Sequence, residues 1–107
     1  MKLYAFAFSS NCRKVRAVAY ELDIPLESVH VDLVNGASRT PGFLALNPNG
    51  RVPVLEDDGF VLYESTAIMR YLSAQKGDAL VPTTLRGRAD VDRWLAWQLA
   101  HLAPAMR

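Results

Sequence analysis

The 107-residue sequence holds a single cysteine, Cys12. One thiol excludes an internal disulfide and a zinc site built on four cysteines, and it suits a reducing cytoplasm. Charge of one sign is also missing: 12 Lys and Arg stand against 11 Asp and Glu, a net charge of +1. A nucleic-acid partner needs a basic excess on one face, so that class is set aside. No apolar run approaches the ~20 residues of a membrane-spanning helix. There is no internal repeat and no low-complexity tract. The apolar opening, Met1 to Phe8, breaks at Ser9-Ser10-Asn11 and runs into Arg13, Lys14 and Arg16. It is too short for a secretory leader and lacks the small-residue cleavage site. These absences lead to the expectation of a cytoplasmic protein with no metal, no membrane and no nucleic acid. What remains is half hydrophobic and 21% charged, the profile of one globular unit with one core.

Lys2 to Phe8, apolar and aromatic, predicts a strand buried on both faces. From Cys12 to Leu22 the residues Val15, Val18, Ala19 and Leu22 fall on one helical face, and Asp23-Ile24-Pro25 ends it. Ser28 to Leu33 alternates and predicts a second strand, parallel to the first through a right-handed crossover. Thr40-Pro41 reads as a cap followed by a proline at the first helical position, opening a short helix through Leu46. Val52 to Glu56 and Phe60 to Tyr63 flank Asp57-Asp58-Gly59, a hairpin signal. A helix over about 65–76 follows, with Ile68, Tyr71 and Leu72 inward and Gly77 at its C-terminal end. The order βαβ-α-ββ-α is the thioredoxin-like α/β arrangement, with a mixed four-stranded sheet and helices on both faces. Residues 1–76 form that domain and 77–84 a linker. Residues 85–107 carry one more helix, running towards Pro104. Its two apolar lines, Val91-Leu95-Leu99-Leu102 and Trp94-Trp97-His101, call for two packing partners. The expectation is a truncated all-α domain, with a further helical part, a second subunit, or both outside the sequence.

Three segments carry chemistry. At the first strand-to-helix turn, where this fold places a redox Cys-x-x-Cys, the first position is Ser9 and only the last, Cys12, is a cysteine. One cysteine cannot cycle through an internal disulfide, so a dithiol mechanism is set aside. A serine there can donate a hydrogen bond to a sulfur brought by a ligand; Ser9 and Ser10 are also ordinary helix caps. In Asn47-Pro48-Asn49-Gly50-Arg51-Val52-Pro53-Val54-Leu55, Pro53 removes a ladder donor from an apparent strand. A cis Val52–Pro53 bond resolves the conflict and frees the backbone of Val52 for an extended peptide; an edge-strand proline resolves it too. In Glu64-Ser65-Thr66-Ala67-Ile68, Ser65 and the N–H groups of a helix start can hold a carboxylate while Glu64 pairs with an ammonium. A plain cap beside a solvated acid fits the same letters.

Taken together, these segments resemble the N-terminal domain of the glutathione transferase family over nearly the whole chain. The resemblance rests on Tyr4 with Ser9 to Arg16, on the Asn47 to Leu55 block, and on Glu64 to Ile68 with Tyr71 and Leu72. It implies a serine-type enzyme in which Ser9, with Ser10 as runner-up, activates the thiol of glutathione as a thiolate that attacks a small electrophile. It also implies that Val52 and Pro53 hold the cysteinyl part, that Glu64 and Ser65 hold the γ-glutamyl end, and that Arg39 meets the glycyl carboxylate. Cys12 is implied to be a packing residue. Detoxification, a homodimeric whole protein, and weak or absent turnover by this chain alone follow from the same resemblance. Ser9 to Arg16 also resembles the maleylacetoacetate isomerase branch, which has a cysteine at the position of Asn11 and a serine at that of Cys12. A glutathione-dependent isomerase or dehalogenase, and a non-catalytic association module, are the alternatives.

Overall fold

Strand β1 spans Lys2–Ala5, four residues that end earlier than the sequence pattern predicts. The Ser9 N–H donates to the Phe6 carbonyl at 3.0 Å, and this turn lifts Phe6 to Phe8 off the sheet. The computed structural model describes residues 1–106. Helix α1 follows over Ser10–Glu21, with Cys12, Val15 and Ala19 buried. It closes in a Schellman motif: Ile24 donates to Ala19 and Asp23, at φ 54°, donates to Tyr20.

Strand β2, Glu27–His30, lies parallel to β1, pairing Lys2 with Glu27 and Ala5 with His30. The expected strand ran on to Leu33. It stops because the Asp32 carboxylate accepts both the backbone and the side-chain N–H of Asn35, folding the chain into a turn. A 3₁₀ turn, Ala37–Arg39, leads to Thr40, whose hydroxyl caps helix α2, Pro41–Leu46.

The Val52–Pro53 bond is cis. Strand β3, Val54–Asp57, starts just after the proline rather than at Val52. Asp58 and Gly59, both at positive φ, turn it into β4, Phe60–Tyr63. The sheet order is β2-β1-β3-β4, with β3 antiparallel to both neighbours. This is the mixed thioredoxin-like sheet that the sequence predicts. Val54 and Leu55 are adjacent in β3 and so point to opposite faces, yet both are fully buried. The sheet is therefore covered on both sides.

Helix α3, Ser65–Gln75, packs against α1. It buries Ile68 and Leu72 completely and ends at Gly77, φ 66°. Burying two such side chains stabilises the fold by roughly 1.5–3 kcal/mol each. The Tyr71 hydroxyl donates to Asp57 at 2.6 Å and its ring meets that of Phe60, fastening α3 to the hairpin.

Helix α4, Leu85–Trp97, starts under the hydroxyl of Thr84. The single helix expected towards Pro104 is broken by a π-helical turn, Gln98–Leu102, before a short α5, Ala103–Ala105. Pro104 has no N–H to give to the Ala100 carbonyl and its ring crowds that group, so the helix widens ahead of it. Val91 and Leu95 turn toward Val18 and Met69 around a cavity of about 140 Å³. Trp94 and Trp97, stacked edge to face at 5.6 Å, stay largely exposed, as does Leu99. Among the described residues no helix is long and apolar enough to cross a membrane, and no cluster of His, Cys, Asp or Glu could hold a metal.

Candidate functional site

Two helix starts and one loop meet at a cleft of about 110 Å³. The loop is shaped by Asn47, which is buried and bonded at both ends of its amide. Its Nδ2 donates to the Arg51 carbonyl at 2.9 Å, and its Oδ1 accepts the Asn49 N–H at 3.0 Å. Gly50 sits at φ 63°, and a Cβ there would fall 2.9 Å from the Arg39 guanidinium and 3.1 Å from the Ser38 carbonyl. A side chain here is strained by the positive φ and crowds the Ser38 carbonyl. The loop delivers Val52 and Pro53 to the cleft. Among the described residues neither the N–H nor the C=O of Val52 has a backbone partner.

The second contributor is the start of α3. Glu64 occupies φ 78°, ψ 113°, a region that a side chain rarely adopts. Such a residue costs of order 1–3 kcal/mol and persists only where its surroundings hold it. Helices α1, α2 and α4 each begin under a hydroxyl, from Ser9, Thr40 and Thr84. Helix α3 has no capping side chain, so the N–H groups of its first turn are left to another acceptor. Ser65, only 7% exposed, lines the cleft beside Glu64. An open helix start with a hydroxyl in it is suited to an anion, and the Glu64 carboxylate next to it to a cation.

The third contributor is the start of α1. The Ser9 hydroxyl oxygen accepts the Cys12 N–H at 3.3 Å, so Ser9 is a helix cap. This use does not spend its proton: a hydroxyl has two acceptor lone pairs and one donor. Ser9 and the exposed Ser10 are not among the residues lining the cleft; Asn11 is. Lys14, one turn further, donates to Gln98 at 3.1 Å and ties α1 to the π-helical turn, which brings Leu99 to the cleft wall. Burial holds the Lys14 ammonium below its ordinary pKa. The Tyr4 hydroxyl lies elsewhere, donating to Glu56 at 2.9 Å, a bond that raises its pKa.

Of the site residues expected from sequence, Val52, Pro53, Glu64 and Ser65 come together. Arg39 does not line the cleft; its guanidinium lies over Gly50, behind the loop. Asn11, Asn47, Arg51 and Leu99 line the cleft beyond the expected residues. Asn11 had a sequence signal, its place beside Ser9 and Ser10 in the first turn of α1. Leu99 had none, because only the distant Lys14–Gln98 bond and the π-helical turn bring it there.

A mixed four-stranded sheet with a cis-proline loop and an uncapped helix start lining one cleft defines a thioredoxin-like domain. Residues 3–79 match the family described as glutathione S-transferase, N-terminal domain. The chain belongs to the glutathione S-transferase family. Glutathione S-transferase 3 of Zea mays is 41% identical over 107 residues, 97% of this chain and 48% of the relative. Human glutathione S-transferase theta-1 is 41% identical over 92% of this chain and 42% of its own length. The crystal structure of a theta-class enzyme from Xanthomonas axonopodis pv. citri, with glutathione bound, superposes with a TM-score of 0.89 at 42% identity. It is matched over 96% of this chain and 50% of that one. The chain spans about half the length of the curated relatives it matches.

Proposed function

We propose that the protein binds reduced glutathione in this cleft, activates its thiol as a thiolate and adds it to a small electrophile. The observation that carries this reading is the start of α3, uncapped, with the buried Ser65 hydroxyl and the strained Glu64 at a cleft shared with Val52. A tripeptide with a carboxylate and an ammonium at one end and a thiol in the middle matches those groups in kind. Ser65 and the first-turn N–H groups of α3 take the γ-glutamyl carboxylate, Glu64 its ammonium, and the free main chain of Val52 the cysteinyl part. Ser9, the serine of a serine-type class, donates its O–H in a hydrogen bond to the sulfur, whose own proton leaves to solvent. A thiol begins near a pKa of ~8.5, and a donated hydrogen bond favours the charged form and lowers it. Arg39 is the proposed partner of the glycyl carboxylate.

On this reading residues 1–76 are the glutathione-binding unit, 77–84 a linker and 85–107 the first helix of a helical domain. The whole protein is a cytoplasmic homodimer serving detoxification, and this chain alone turns over slowly. The half-length match to full transferases supports that division. Calorimetric titration with reduced glutathione tests the reading. Saturable binding that weakens about tenfold in Ser65→Ala, the size of one hydrogen bond to a charged group, supports it. A folded chain that binds no glutathione overturns it, and favours an association module built on the same fold.

A further inference from the structure

Resting on the reading of the cleft as a glutathione site, we propose that the Asn11 side-chain amide is a second hydrogen-bond donor to the glutathione sulfur, alongside Ser9. The sequence contains four asparagines. The amides of Asn35, Asn47 and Asn49 each donate to a partner within the protein. Among the described residues Asn11 alone has none, and it is the one residue of α1 that lines the cleft. Local folding does not explain it there. Asparagine is favoured at a helix cap, but the cap is Ser9, two residues earlier, and inside a helix asparagine is a weak former.

The cleft's two helix starts divide the ligand between them. The start of α3, with Ser65 and Glu64, suits the charged amino-acid end. That leaves the start of α1 for the thiol, with Val52 and Pro53 beside it. Ser9 has one proton to donate, and its oxygen already holds the Cys12 N–H. A thiolate accepts more than one hydrogen bond, and an asparagine amide offers two N–H groups. On the same helix face the Lys14 ammonium is held by Gln98.

The test titrates the thiol of bound glutathione by thiolate absorbance in the unaltered chain, Asn11→Ala and Asn11→Asp, with calorimetry on each. Asn11 is exposed in a first helical turn, so alanine leaves the fold intact, which circular dichroism checks. The expected result is a bound-thiol pKa raised by about one to two units in Asn11→Ala, the size of a charged hydrogen bond, with little change in glutathione affinity. Asn11→Asp, similar in shape but without donors and negatively charged, raises it further. If Asn11→Ala keeps the thiol pKa of the unaltered chain, the role of Asn11 falls, whether or not affinity changes. If the unaltered chain binds no glutathione, the cleft reading fails and this inference with it.

Discussion

The hydroxyl oxygen of Ser9 accepts the backbone N–H of Cys12 at 3.3 Å, so the residue proposed to activate a thiol is also the cap of α1. The two duties use different parts of one group, the lone pair and the proton, and a pair of substitutions separates them. Ser9→Ala loses both: it costs about 1 kcal/mol in urea unfolding and raises the pKa of the bound thiol. Ser9→Asp caps as well as serine but has no proton to give, so it keeps the unfolding midpoint and still loses thiol activation. Parallel losses of stability and activation in both variants would make Ser9 a cap alone.

Glu64 holds a strained backbone at the edge of the cleft. Its φ of 78° is relieved by glycine, at the expense of a more flexible unfolded chain. Glu64→Gly is expected to gain about 0.5–2 kcal/mol in urea unfolding while glutathione affinity falls, because the carboxylate facing the ammonium is gone. A gain in stability with unchanged affinity would leave Glu64 no part in binding.

Gly50→Ala moves the other way on both counts. A methyl group at φ 63°, against Arg39 and the Ser38 carbonyl, costs more than about 1 kcal/mol and displaces Val52, so stability and affinity drop together.

Two tyrosines have raised pKa values. The bond from Tyr4 to Glu56 and the bond from Tyr71 to Asp57 are the main reasons each phenol is raised above its ordinary value. The folded state then holds these protons more tightly than the unfolded chain. Their contribution is complete below pH ~10 and is lost as pH rises through the folded pKa values. The urea midpoint should fall less steeply above pH ~10 in the double variant Tyr4→Phe, Tyr71→Phe than in the unaltered chain.

Features governed by one or two neighbouring residues were legible in the sequence. Asp58-Gly59 at two positive φ angles, Thr40-Pro41 at the start of α2 and Gly77 after α3 are each decided by local sterics. The cis bond before Pro53 was one of two readings open for that proline. Four residues of the cleft were readable because they fall in two short blocks. The ends of β1 and β2 are not legible in the sequence, because apolar character persists through Phe8 and Leu33. Hydrogen bonds from Ser9 and Asn35, not hydrophobicity, end those strands. Arg39 was placed by its spacing in a loop, yet its direction is set by the close approach of Gly50. The π-helical turn depends on Pro104 acting back on a preceding carbonyl, and Leu99 reaches the cleft only through a bond spanning 84 residues.

The most direct measurement is the backbone amide spectrum of the chain titrated with reduced glutathione. The account predicts saturable shifts concentrated at Val52 and at Ser65, Thr66 and Ala67, with Asn11 moving alongside them. Shifts that bypass Val52 and the start of α3, or none at saturating glutathione, would contradict it.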